Sequence, residues 1–237
     1  MRVIPSIDII GGKCVRLTQG DYGKMKVYRE NPLEVAKEFE EADLEYVHVV
    51  DLDGAKKGKV VNWHILEAIQ ERTALRVDFG GGVKSEEDVE RLLDLGIDQI
   101  NVGSLAAKEP DVFSTWLKKY GSENFILSVD VKEELVQSRG WTEQTDISIY
   151  DLATGFEKEG LQYITCTDIA SEGMMQGPNF GLYKKLKKRF PNLNITASGG
   201  ITSLDDLEQL NYIKLYAAII GKAIYEHKIR LQDLRNI

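Results

Sequence analysis

Short apolar runs alternate with amphipathic stretches along the whole chain. The apolar runs, rich in Val and Ile, predict strands at Val3–Ile9, Tyr46–Asp51, Leu75–Phe79, Gln99–Val102, Phe125–Val129, Tyr163–Thr167, Asn194–Ala197 and Ala217–Ile220. The stretches between them carry apolar residues at helical spacing. In Pro32–Glu41, for example, these are Leu33, Val35, Ala36 and Phe39. Further helices are predicted at Asn62–Gln70, Ser85–Leu95, Pro110–Lys119, Ile147–Glu159, Phe180–Arg189, Leu204–Leu210 and Lys222–Glu226, and Ile229–Leu234 closes the last turn. No element is predicted between Ile9 and Pro32.

Strands that are apolar nearly throughout suit parallel strands covered on both faces. Eight of them alternating with helices in 237 residues are most economically arranged as a (β/α)8 barrel. The alternative is an open doubly wound sheet, whose first turn should carry a GxGxxG fingerprint. None follows Val3–Ile9. No Pro/Gly/Ser-rich linker divides the chain, so residues 1–237 are read as one domain.

An internal repeat sharpens this picture. Gly81-Gly82-Val83-Lys84-Ser85-Glu86-Glu87-Asp88 resembles Gly199-Gly200-Ile201-Thr202-Ser203-Leu204-Asp205-Asp206, at an offset of 118 residues. The same offset relates Leu92 to Leu210 and Gly103 to Gly221. An offset of 117 relates Asp51 to Asp168 and Asn62 to Asn179, and one of 122 relates Asp8 to Asp130. The expected architecture is two half-barrels, about 1–121 and 122–237.

Catalytic groups in such barrels stand at the C-terminal ends of strands. Asp8, Asp51, Asp130 and Asp168 all do. Asp8 and Asp130 end the first and fifth strands, which face each other across the mouth. Two opposed carboxylates suit paired proton transfer, one giving a proton while the other takes one. An Asp at a strand end can also simply cap the next helix or loop. Glycine clusters follow the third and fourth strands (Gly81, Gly82, Gly103 with Ser104) and the seventh and eighth (Ser198, Gly199, Gly200, Gly221 with Lys222). Backbone N–H groups there, at helix N-termini, suit phosphate. Two such grips with carboxylates between them point to a long ligand carrying a phosphate at each end.

The net charge of −8 argues against generic nucleic-acid binding. No apolar run approaches the ~20 residues of a membrane span, and no signal peptide is legible, so a cytoplasmic location is expected. Cys14 and Cys166 read as reduced core thiols. His48, His64 and His227 share no metal-ligand spacing, so no metal site is expected. His48, on the second strand, reads as a core residue or one that supports the site.

Taken together, these residues resemble a known family. The stretches are Ile4-Pro5-Ser6-Ile7-Asp8-Ile9-Ile10-Gly11-Gly12-Lys13, Val49-Val50-Asp51-Leu52-Asp53-Gly54-Ala55, Gly80-Gly81-Gly82, Ser138-Arg139-Gly140-Trp141, Thr167-Asp168-Ile169, Gly177-Pro178-Asn179 and Ser198-Gly199-Gly200. The family is the histidine-biosynthesis isomerases that convert phosphoribosylformimino-aminoimidazole carboxamide ribotide (ProFAR) to its ribulosyl isomer. The resemblance runs from Val3 to about Tyr225. It implies an Amadori rearrangement of a bis-phosphorylated substrate, with Asp8 as general base, Asp130 as general acid and Thr167 supporting the acid. Arg139 and Trp141 would close over the substrate, with Asp168 and Gly177 among the binding residues. It implies no metal or organic cofactor, no nucleic-acid or membrane partner, and a monomer.

Two positions depart from the family pattern. Lys84 follows the glycine triplet where Arg is common, and Ser171-Glu172-Gly173 stands where a basic residue and Asp-Gly are expected. Three rival readings remain. One is the sister cyclase of the pathway, whose first strand typically reads Cys-Leu-Asp-Val rather than Ser-Ile-Asp-Ile. The second is a bifunctional isomerase that also accepts phosphoribosyl anthranilate. The third is a phosphate-ligand binding barrel without catalysis.

Overall fold

The computed structural model describes residues 1–18, 20–138, 141 and 143–236. In chain order its elements are β1 (Arg2–Ile10), β2 (Lys13–Thr18), β3 (Asp21–Arg29), α1 (Pro32–Glu41), β4 (Tyr46–Asp51), α2 (Leu52–Lys57), α3 (Trp63–Arg72), β5 (Arg76–Gly80), α4 (Glu86–Asp94) and β6 (Gln99–Val102). Then come α5 (Ser104–Lys108), α6 (Pro110–Tyr120), β7 (Phe125–Lys132), β8 (Leu135–Ser138), β9 (Glu143–Ser148), α7 (Ile149–Lys158), β10 (Tyr163–Asp168), α8 (Phe180–Arg189), β11 (Asn194–Ser198), α9 (Leu204–Tyr212), β12 (Ala217–Ile220) and α10 (Lys222–Tyr225).

Eight strands pair in parallel around a closed ring, β1-β4-β5-β6-β7-β10-β11-β12 and back to β1. The fold is a (β/α)8 barrel, and its strands are the ones the apolar runs predict. Closure leaves the barrel no open edge. Alternate strand residues point outward, and Ile7, Val49, Val77, Ile100, Leu127, Ile164, Ile195 and Ile220 are buried there against the helices. The helices return Phe39, Leu66, Leu92, Phe113, Phe156, Leu186 and Leu210 to the same layer. A smaller cluster of Ile4, Ala217 and Ile219, with Tyr46 and Tyr216 beside it, forms a second core. The Arg2 guanidinium lies over both tyrosine rings, at 4.3 and 4.6 Å.

Helix starts follow the polar residue before each apolar run. Asn31, Ser85, Ser148, Asn179 and Ser203 each accept a backbone N–H from the first turn, and Ser203 with Asp206 completes a capping box. Ile147, predicted as the start of a helix, instead lies in β9; the helix begins at Ile149, behind its Ser148 cap.

Two features of the mouth were not predicted. β2 and β3 form an antiparallel hairpin that continues β1, and β8 and β9 form another that continues β7. The residues of β3 are mostly exposed, so no apolar face marks the strand in sequence. Among the described residues, no helix is long and apolar enough to cross a membrane.

Candidate active site

The C-terminal ends of the barrel strands open into a cavity of about 1170 Å³. Asp8, Asp130 and Thr167 line it, as do Gly81, Gly82, Gly103, Ser104, Trp141, Ser198, Gly199, Gly200, Gly221 and Lys222. Arg139 lies outside the described residues. In the ring of strands, β1 and β7 stand opposite each other, so Asp8 and Asp130 face the cavity from opposed walls.

The two carboxylates have different surroundings. Asp8 is paired with Arg16, whose Nη1 lies 2.7 Å from Asp8 Oδ2. Arg16 reaches it because the Gly11-Gly12 turn folds β2 back on β1, placing Val15 opposite Asp8. Its Nη2 donates to the carbonyl and hydroxyl of Ser6, and the guanidinium lies against the backbone of Gly221. Burial works against the Arg16 charge, but Asp8, Tyr225, Glu172 and Cys14 together outweigh it and the pKa is raised. Burial raises the Asp130 carboxyl above its ordinary value, while hydrogen bonds from Trp141 and Thr167 and the nearby His48 pull it down. Trp141 Nε1 donates to Asp130 Oδ2 at 2.8 Å. Thr167 is the register partner of Asp130 on the neighbouring strand. An acid kept protonated to higher pH stands opposite a carboxylate with its own counter-ion, an arrangement suited to acid and base roles.

The two glycine grips match in backbone conformation. Gly81 and Gly82 have φ of +105° and +91°, Gly199 and Gly200 +96° and +81°. Gly103 (φ −109°, ψ −89°) and Gly221 (φ −112°, ψ −96°) share an unusual geometry before the short helices α5 and α10. Their strands, β5 and β6 on one side and β11 and β12 on the other, are opposed across the ring.

The carboxylates of Asp51 and Asp168 hold the loops after β4 and β10, against whose backbone Gly81 and Gly199 pack. Asp51 accepts from the N–H groups of Gly54, Val61 and Asn62 and from Asn62 Nδ2. Asp168 accepts from Ala170 N, Ser171 Oγ and Asn179 Nδ2. Asp168 serves as a loop anchor here: it is 5% exposed and is not among the residues that line the cavity. Gly177 is likewise outside that lining. It sits behind Gly200, donating to the Gly200 carbonyl at 3.1 Å.

Arg16 and Glu172 were not picked out as site residues in sequence. Arg16 stands alone in the apolar run Cys14–Leu17, which was a usable signal. Glu172 also lines the cavity; burial raises its carboxyl, with Arg16 and Lys222 acting in the opposite sense. Lys222 Nζ donates to the Gly173 carbonyl at 2.8 Å, tying the loop after β10 to the grip after β12. Lys84 lines the cavity with its ammonium against Gly58.

A family model described as "Histidine biosynthesis protein" matches residues 2–230. The chain is 49% identical over 234 residues to a protein of Parabacteroides distasonis, covering 99% of this chain and 98% of that one. It is 49% identical over 234 residues to one of Cytophaga hutchinsonii, at the same coverage. It is 48% identical over 236 residues to one of Flavobacterium johnsoniae, covering 100% and 98%. All three carry the name 1-(5-phosphoribosyl)-5-((5-phosphoribosylamino)methylideneamino)imidazole-4-carboxamide isomerase. On the strength of the family match and these near full-length identities, the chain belongs to the histidine biosynthesis protein family.

Proposed function

We propose that this chain isomerises ProFAR, the substrate named by its relatives, to the ribulosyl isomer. The observation that carries this reading is one cavity with two like glycine grips on opposed walls and Asp8 and Asp130 between them. Each grip suits one of the two phosphates, and the reacting pentose then lies between the carboxylates. Asp130, whose carboxyl burial raises above its ordinary value, protonates the ribose ring oxygen and opens the ring to a Schiff base. Asp8 removes the C2′ proton. The substrate's own imine nitrogen takes up the electrons, and the enolamine tautomerises to the ketone. Thr167 supports Asp130 on the acid side, and Trp141 holds it while covering the site.

We take the enzyme as a cytoplasmic monomer of one domain, built of half-barrels of about 1–121 and 122–237. The matched Asp51–Asn62 and Asp168–Asn179 hydrogen bonds, at 2.7 and 3.0 Å, support the half-barrel division. The function is tested by mixing purified protein with ProFAR and following isomerisation spectroscopically. Turnover is expected; binding without turnover would favour a binding barrel, and neither would overturn the substrate.

A further inference from the structure

One polar cluster inside the barrel has no part in the proposed acid–base scheme. His48 on β4 pairs in register with Asp78 on β5, and its Nδ1 is hydrogen-bonded to Asp78 Oδ1. Asn101 Nδ2, from β6, donates to the same carboxylate oxygen at 2.6 Å. The cluster is well enclosed, with the His48 and Asp78 side chains 13% and 10% exposed. His48 lines the cavity, two residues along its strand from Val50, the register partner of Asp8. With Nδ1 fixed, the ring cannot turn. Its other nitrogen, Nε2, has no partner among the described residues. A purely structural network would close on itself. This one spends a buried carboxylate and an amide to hold an imidazole with one nitrogen left open in the reaction cavity.

We propose that His48 is a further catalytic residue, donating from Nε2–H to the hydroxyl oxygen on the pentose carbon that loses its proton. The inference rests on the proposed isomerisation. That oxygen goes from alcohol to enol to ketone, and a fixed donor stabilises it most as the carbonyl forms. His48 transfers no proton. Asp130, ionised after giving its proton to the ring oxygen, takes the hydroxyl proton, and Asp8 returns to C1′ the proton it took from C2′. Both carboxyl groups end as they began.

The donor role needs the imidazolium, because a neutral ring that donates from Nδ1 to Asp78 has only a lone pair at Nε2. Burial works against the charge, but Asp78 and Asp8 outweigh it and the His48 pKa is raised. Arg16 acts in the opposite sense, and Asp130 faces the ring from β7.

The test compares two substitutions, with wild-type turnover of ProFAR as the reference and Tm as the check on folding. His48→Asn keeps an amide near Nδ1 and the bond to Asp78 but nothing at Nε2. His48→Gln carries its amide to the Nε2 position. The inference predicts a fall in kcat of ~10²-fold or more for His48→Asn, with KM little changed, and partial rescue in His48→Gln. A structural role predicts the opposite order. Asp78→Asn should lower the His48 pKa measured by NMR in the free protein. An active wild type with His48→Asn within 3-fold of it, or with His48→Asn above His48→Gln, or with an unmoved His48 pKa in Asp78→Asn, overturns the inference alone. An inactive wild type overturns the functional reading and the inference with it.

Discussion

Trp141 Nε1 donates to Asp130 Oδ2 at 2.8 Å, while the indole ring packs on the backbone of Gly20 at the tip of the β2–β3 hairpin. One side chain thus links the loop after β1, the loop after β7 and the proposed acid. Trp141 holds a left-handed backbone, φ +71°, which costs a non-glycine residue ~1–2 kcal/mol. Such strain persists where other contacts determine the position. The indole bond favours the ionised carboxylate, so Trp141→Phe should raise the Asp130 pKa further. The alkaline limb of kcat/KM, set by loss of the acid's proton, should move to higher pH. A pH–rate profile of the variant reads this directly, and an unmoved limb would separate the bond from the acid.

The same raised pKa has a consequence for stability. The folded Asp130 carboxyl binds its proton more tightly than the unfolded one, whose ordinary value is 3.8. Its stabilising contribution is complete below that value and is lost as pH rises through the folded pKa. Above that folded pKa the fold carries the cost of a buried charge. Asp130→Asn, which can still accept from Trp141, should therefore be level with wild type near pH 3 and gain on it in Tm as pH rises through the folded pKa. Thermal melts across the pH range test this, and a Tm difference that does not grow with pH would contradict it.

Arg16 neutralises Asp8 in a setting where both side chains are largely enclosed, at 8% and 16% exposure. Removing one member of such a pair strands the other, at a cost of ~3–5 kcal/mol. Arg16→Met should show that loss in denaturant melts, together with a collapse of turnover. Arg16→Lys should recover part of the stability, since a single ammonium can meet Asp8 but cannot also span to Ser6 as the guanidinium does. Equal stability of the methionine variant and wild type would remove the ion pair from the account.

The grips make a prediction about glycine. A Cβ at Gly81 would overlap the Asp51 carbonyl, at a φ that side chains rarely adopt. Gly81→Ala should cost on the order of 2–4 kcal/mol and weaken substrate binding. Gly155, inside α7, has open space around its Cβ position, so Gly155→Ala should stabilise by ~0.5–1 kcal/mol. Paired melts of the two variants check the contrast.

The barrel was legible because its strands are buried on both faces and its helices on one, and burial writes itself into apolar spacing. The Asp and Gly positions were legible because strand ends and grips recur at a fixed offset. The hairpins were not, since β3 covers no core and so carries no period. Arg16 meets Asp8 only through the antiparallel register of β1 and β2, a relation that spacing alone does not reveal. Asp168 and Gly177 lie in the loops where the sequence places them, each with a structural role that spacing alone does not show. A strand-end carboxylate facing a ligand and one folded under its own loop look alike in sequence. The difference lies in the donors that Ser171 and Asn179 bring to Asp168.

The central claim is that Asp8 and Asp130 act as a base and acid pair on ProFAR. The most direct measurement is spectroscopic turnover of ProFAR by wild type, Asp8→Asn and Asp130→Asn, with folding checked by circular dichroism. The account predicts activity in wild type and a loss of ~10²–10⁴-fold in each variant, with folded structure retained. A folded Asp8→Asn or Asp130→Asn that turns over ProFAR at the wild-type rate would contradict it.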